Sequence, residues 1–192
     1  MNPLARVFAL AALLASLAGC VSFGTKEPHR YFVLEPARTA PADAKSPGAR
    51  TVRLGAATAS GFYDTEAIVY SRAPGTRGHY QFNSWTERPG RRIGELLAQR
   101  LDRNPAQPGL VLNIHLLELY HDAAALPGTV QVSLAAELVD PARRAIVGRK
   151  VFSSSAPAAT YDAAGAVHAC NLAVAAILDQ IESWVGQLAS SR

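Results

Sequence analysis

Leu110, Leu112, Ile114 and Leu116 recur at every second position, and Val130, Val132, Leu134, Ala136 and Leu138 do the same with Gln131, Ser133 and Glu137 between them. Successive side chains leave a strand on opposite sides, so period two with one wet face predicts antiparallel strands. Leu126-Pro127-Gly128 closes the first connection, and Asp140-Pro141-Ala142-Arg143-Arg144 turns the chain into a third strand over Ala145 to Ser153, completing a meander. Upstream, short apolar runs at Tyr31 to Leu34 and Thr51 to Leu54 have strand length, separated by a Pro-, Ala- and Ser-rich surface loop from Glu35 to Arg50.

Between Gly61 and Asn104 the pattern changes twice. Two β-branched and aromatic segments, ending in Arg72 and in Trp85, flank Pro74-Gly75 and Gly78 and predict a hairpin. Ile93, Leu96, Leu97 and Leu101 then fall on one helical stripe, with Glu95, Gln99, Arg100 and Arg103 on the wet side and Asn104-Pro105 as the stop. Trp85 sits at the corner and is expected to wedge hairpin to helix. Asp64 is expected to hold the turn before Ile68 by an Asx bond. Arg91 and Arg92 fall near the expected helix start, where the macrodipole disfavours cations; either the helix begins nearer Thr86 or they face something anionic. A second helix, capped by Thr160 or Asp162, carries Val167, Cys170, Val174, Ile177, Leu178, Ile181, Val185 and Leu188 at period 3.6. The expected fold is α+β, a mainly antiparallel sheet with two amphipathic helices on one face.

The first nineteen residues stand apart. Arg6 precedes an apolar run from Val7 to Leu17, too short for a permanent span, and Leu17-Ala18-Gly19-Cys20 resembles the lipobox of bacterial lipoproteins. That resemblance implies cleavage before Cys20 and acylation of Cys20, leaving a lipidated tether over 20–30 and one domain over 31–192. Val21 stands where an aspartate would retain an enteric-type lipoprotein in the inner membrane, which implies the outer membrane. With Cys20 acylated, Cys170 has no disulfide partner and its place on an apolar stripe marks it as a buried thiol.

Lys and Arg outnumber Asp and Glu by 19 to 15 without clustering, so nothing points to nucleic acid. His115, Glu118 and His121 mimic a metal spacing, but on a continuous strand the two histidines share a face about 20 Å apart and Glu118 takes the other. No metal, cofactor or catalytic residue is expected: the chain has no Gly-x-Ser-x-Gly elbow, His-Glu-x-x-His pair, Walker loop or dinucleotide fingerprint.

The lipobox, the Tyr31 to Leu34 strand, Tyr63-Asp64, Ile68-Val69-Tyr70, the aromatic segment ending in Trp85 with Glu87 and Pro89, and the two helices together resemble the ABC-type transport auxiliary lipoproteins, the PqiC-like family. The resemblance covers essentially the whole chain. It implies a non-catalytic, lipid-anchored protein of the outer membrane that faces the periplasm and partners an inner-membrane system carrying a mammalian-cell-entry (MCE) domain, which moves phospholipid or other hydrophobic molecules. Tyr63, Arg91 and Arg92 and the 73–79 loop are the candidate partner-binding positions, and a homo-oligomer is left open. A lipoprotein that scaffolds another outer-membrane machine would share the anchor and the fold.

Overall fold

The structure is a computed structural model and describes residues 27–38, 50–101 and 109–190. Cys20, the rest of the lipobox, Arg103, Asn104 and Pro105 lie outside the described residues. The elements run β1 (Arg30–Phe32), β2 (Val52–Ala59), β3 (Ala67–Ser71), β4 (Gly78–Trp85), α1 (Pro89–Arg100), β5 (Leu110–Asp122), β6 (Thr129–Asp140), β7 (Ala145–Pro157) and α2 (Ala163–Ser190).

One sheet takes all seven strands in the order β1-β4-β3-β5-β6-β7, with β2 paired to β5 off that path. The meander β5-β6-β7 and the hairpin β3-β4 are antiparallel. Three further pairings, β1 with β4, β2 with β5 and β3 with β5, are parallel, so the sheet is mixed, though mostly antiparallel by register. β2 and β3 share one edge of β5: β2 runs beside Leu110 to Leu116, the chain steps out, and β3 rejoins at His121 and Asp122. Parallel partners need a crossover, and the one from β3 to β5 runs through β4 and α1.

Leu110, Leu112, Ile114 and Leu116 of β5 and Val130, Val132, Leu134 and Leu138 of β6 point into one core that also takes Ile93 and Leu97 of α1 and the apolar stripe of α2. α2 lies over β6 and β7, and α1 over β2. α2 is long and apolar enough to cross a membrane by length and composition, but most of its apolar surface is already spent on the sheet. Asp162 caps it, accepting the Gly165 N–H at 2.8 Å and the Thr160 hydroxyl at 2.7 Å. That Gly165 bond, then the Thr160 bond, hold the Asp162 carboxyl below its usual range despite partial burial. Cys170 is buried, and burial pushes its thiol up to about 12.

α1 starts at Pro89, with the missing N–H of proline at a position that has no helical partner. Its buried side is Pro89, Gly90, Ile93, Gly94 and Leu97, while Leu96 and Leu101 are only partly covered. A Cβ on Gly94 would stand 2.5 Å from that of Ala57, and one on Gly90 3.1 Å from that of Ala59, so two glycines one turn apart let the helix backbone settle on β2. Arg100, expected on the wet side, is 8% exposed and pairs with Asp179 and Glu182 of α2. The helical period could not show that a second helix covers this flank.

Candidate interaction face

The sheet face turned away from the helices is built by the polar half of the alternation. Cross-strand register places Thr58, His115, Ala135 and Val151 in one row over four strands, and Asn113, Glu137 and Arg149 in the next. Ala56 and Ala135 are too short to fill their places among these neighbours. The result is a groove of about 460 Å³, lined mainly by apolar atoms and open to solvent. Val151, 57% exposed, lies along it, and the Arg149–Glu137 ion pair closes one end. His115 is fixed between two hydroxyls, Thr58 Oγ1 at 2.7 Å from Nδ1 and Ser60 Oγ at 3.2 Å from Nε2. The Asn113 side-chain oxygen accepts the Ala56 N–H at 2.9 Å, where β2 slips register.

Beyond Ser60 the face continues into an aromatic cluster. The Arg77 guanidinium lies 3.8 Å over the Tyr120 ring, donates to the Tyr63 hydroxyl at 2.9 Å and reaches Glu118 at 3.4 Å. Phe62, 46% exposed, stacks on His79 at 4.9 Å between centroids. The segment between β2 and β3 carries Phe62 and Tyr63, and the start of β4 carries His79. This arrangement can hold an apolar or aromatic group by stacking and a cation–π contact. No group of three potential metal ligands occurs among the described residues.

The His115, Glu118, His121 geometry differs from that expected of a continuous strand. A bulge between Leu116 and Glu118 shifts the phase of β5, so His115, Glu118 and Tyr120 share the open face while Leu119 and His121 turn into the core. His121 is 1% exposed. Its Nε2–H donates to the Pro127 carbonyl at 3.0 Å, which leaves Nδ1 to accept the Tyr80 hydroxyl at 2.7 Å. Burial lowers its pKa from the ordinary 6.5, against the partly opposing pull of the Pro127 bond, Asp122 and Asp162. The folded state therefore binds this proton less readily than the unfolded chain. The contribution of the neutral ring is complete above about pH 6.5 and is lost as pH falls through the lower, folded value. Melting curves between about pH 8 and 5 should show Tm falling on the acid side of about 6.5, and His121→Gln should flatten that limb. An unchanged slope in the variant would show that another group carries it.

Of the residues singled out in the sequence, Tyr63 lies in the aromatic cluster, half-buried. Arg91 and Arg92 lie in the first turn of α1, away from the groove. Arg91 is 75% exposed and bonded to Glu95 at 3.0 Å; Arg92 is 21% exposed and donates to the Leu34 carbonyl at 3.1 Å. The anionic groups they face are thus Glu87 and Glu95 of their own segment and the chain beyond β1. Asp64 makes an ion pair with Arg88 at 3.0 Å, tying the Tyr63 turn to the start of α1. The side-chain bond before β3 comes instead from Thr65, whose Oγ1 accepts the Ala67 N–H at 3.1 Å. Trp85 is 2% exposed and in the core. Arg77 falls in the 73–79 loop singled out in the sequence, whereas Tyr120 and the groove had no signal there, because they come together only through the parallel placement of β2 and β3 on β5.

This fold and this face define an α+β domain with an open groove and an aromatic cluster on one side of its sheet. The chain belongs to the family of ABC-type transport auxiliary lipoprotein components, whose sequence model matches residues 32–182. It is thus an auxiliary lipoprotein component of an ABC-type transport system, and a lipid anchor belongs to that class. A crystal structure of a Xanthomonas campestris protein, of the family model DUF330, superposes with a TM-score of 0.74 at 15% identity, covering 82% of this chain and 95% of that one. An uncharacterized protein of known structure gives a TM-score of 0.65 at 12% identity, covering 83% and 99%. These likenesses concern the fold. A search of curated proteins finds no match.

Proposed function

We propose that the protein is the outer-membrane terminus of an MCE-type intermembrane transport system, a non-catalytic lipoprotein acylated on Cys20, tethered over 20–30 and folded over 31–192. The observation that carries this reading is the family assignment over residues 32–182. The ATPase of such a system is a separate subunit, in keeping with a chain that has no phosphate loop. The domain works by binding: the groove beside Val151 and the Phe62, Tyr63 and Arg77 cluster offer exposed apolar area with a cation at hand, the composition of a docking surface. An MCE-domain protein reaching across the periplasm is the partner, and phospholipid or another hydrophobic molecule is the cargo. Anchoring confines the domain to the membrane face and raises its effective concentration, so a modest interface suffices.

The test is in-cell photo-crosslinking from Phe62, Val151 and Arg91, with a membrane-integrity assay on a deletion strain. A crosslink from Phe62 or Val151 to an MCE-domain protein is expected, and Cys20→Ser should abolish fatty-acid labelling and release the protein in soluble form. Crosslinks only to other outer-membrane components would favour the scaffold reading.

A further inference from the structure

The two ends of the meander are chemically unlike, and strand directions decide which of them lies near the anchor. β5 ends at Asp122, β3 runs parallel to β5, β4 antiparallel to β3, and β1 parallel to β4. The N-terminus of β1 therefore points toward the end of the sheet that carries the β5–β6 turn. The end of β7 lies at this same end of the sheet, with Pro157 opposite Thr129 at the start of β6, so the β7–α2 loop and the incoming chain share it. Cys20 precedes Glu27, the first described residue, by seven positions, so the tether can span at most about 25 Å.

That end is apolar at its tip. The β5–β6 turn reads Ala123-Ala124-Ala125-Leu126-Pro127-Gly128, with Leu126 77% exposed. Beside it the β3–β4 turn presents Ala73 and Pro74, and the β7–α2 loop presents Pro157, Ala159 and Tyr161. Tyr161 is 40% exposed, with its hydroxyl donating to the Ala123 carbonyl at 2.8 Å. The nearby acids Asp122 and Asp162 each accept a backbone N–H, from Ala124 and Gly165, while Arg30 and Arg72 are exposed. The opposite end is the β6–β7 turn, Asp140-Pro141-Ala142-Arg143-Arg144, about 35 Å away along β6 at roughly 3.3 Å per residue. Its side chains from Pro141 to Ile146 are exposed, Arg143 and Arg144 included.

We infer that the β5–β6 turn is a membrane-contacting tip: Leu126 enters the headgroup region of the bilayer that holds the anchor, with Tyr161 at the interface and Arg30 and Arg72 toward lipid phosphates. An exposed leucine at the end of an uncharged turn has no use for water, and tyrosine suits the boundary between apolar and polar layers. The domain thus stands on the membrane by this end and holds the Arg143–Arg144 turn outward. The inference rests on the anchor reading above.

The test uses the full acylated protein, purified from membranes and placed in vesicles of phosphatidylethanolamine and phosphatidylglycerol, with an environment-sensitive fluorophore on Leu126→Cys or on Arg143→Cys. Cys170 is buried and Cys20 acylated, so the introduced thiol takes the label. Nitroxide lipids should quench the probe at 126 several-fold more than the probe at 143. Acylated protein with equal quenching at the two positions, or with none at 126, overturns the tip while leaving the anchor intact. Mass spectrometry showing no acyl group on Cys20 overturns the anchor and the tip with it. Leu126→Asp, exposed and expected to melt like the wild type, should reduce the depth signal of a second probe at Tyr161→Cys.

Discussion

Trp85→Ala is expected to lower stability by about 3–5 kcal/mol, the usual result of truncating a fully buried large aromatic. For a domain of this size that shifts Tm by on the order of 10 °C and removes a large part of a total of about 5–15 kcal/mol. The position explains the size of the effect. Trp85 ends β4, pairs in register with Phe32 of β1, and is held there by its backbone N–H, which donates to the Glu66 carbonyl at 2.7 Å and survives the substitution. It shares a core with Leu34, Ile68, Ile93 and Leu97, so one side chain joins the short first strand, the hairpin and α1. Removing it opens a cavity where three elements meet, and none of them can collapse without losing register. Thermal denaturation followed by circular dichroism reads the result. A variant that melts like the wild type and yet loses its crosslinks would move Trp85 from core to interface.

What could be read from the sequence followed from periodicity, and what could not followed from partner choice. The meander, the β3–β4 hairpin, both helices and the buried Cys170 are local patterns in which each residue shows its own burial. The parallel placement of β2 and β3 on β5 is not local, since alternation gives a strand its wet face but not its neighbour. β2 runs to Ala59 although Gly55, Ala56, Ala57 and Ala59 carry no strand signature, because β5 supplies the hydrogen bonds and α1 the cover. The bulge after Leu116 turned His121 into the core against a count of two. Arg100 reads as solvated until Asp179 arrives from α2. The interaction face suffers most from this: Tyr63 is conspicuous in the sequence, whereas the groove exists because Ala56 and Ala135 are small, and small residues are silent.

Gly94→Ala should destabilise the protein, although alanine is the better helix former by about 1 kcal/mol. The added Cβ would meet that of Ala57 at 2.5 Å, well inside the distance of about 3.5 Å at which carbon atoms rest. Both atoms sit directly on backbone, so neither can swing away. α1 must lift from β2, which costs about 1–3 kcal/mol for overpacking and exceeds the propensity gain. Gly94→Val should lose more, since it adds bulk at the same contact without recovering alanine's propensity. Gly186 is the control: it is exposed on α2 with nothing within 4 Å of its Cβ position, so Gly186→Ala should gain about 0.5–1 kcal/mol. Urea denaturation of both variants gives two effects of opposite sign from one substitution. The double variant Gly94→Ala with Ala57→Gly separates crowding from any other cause. If the contact is responsible, that pair is more stable than the sum of its single effects predicts; simple additivity would place the cost elsewhere on α1.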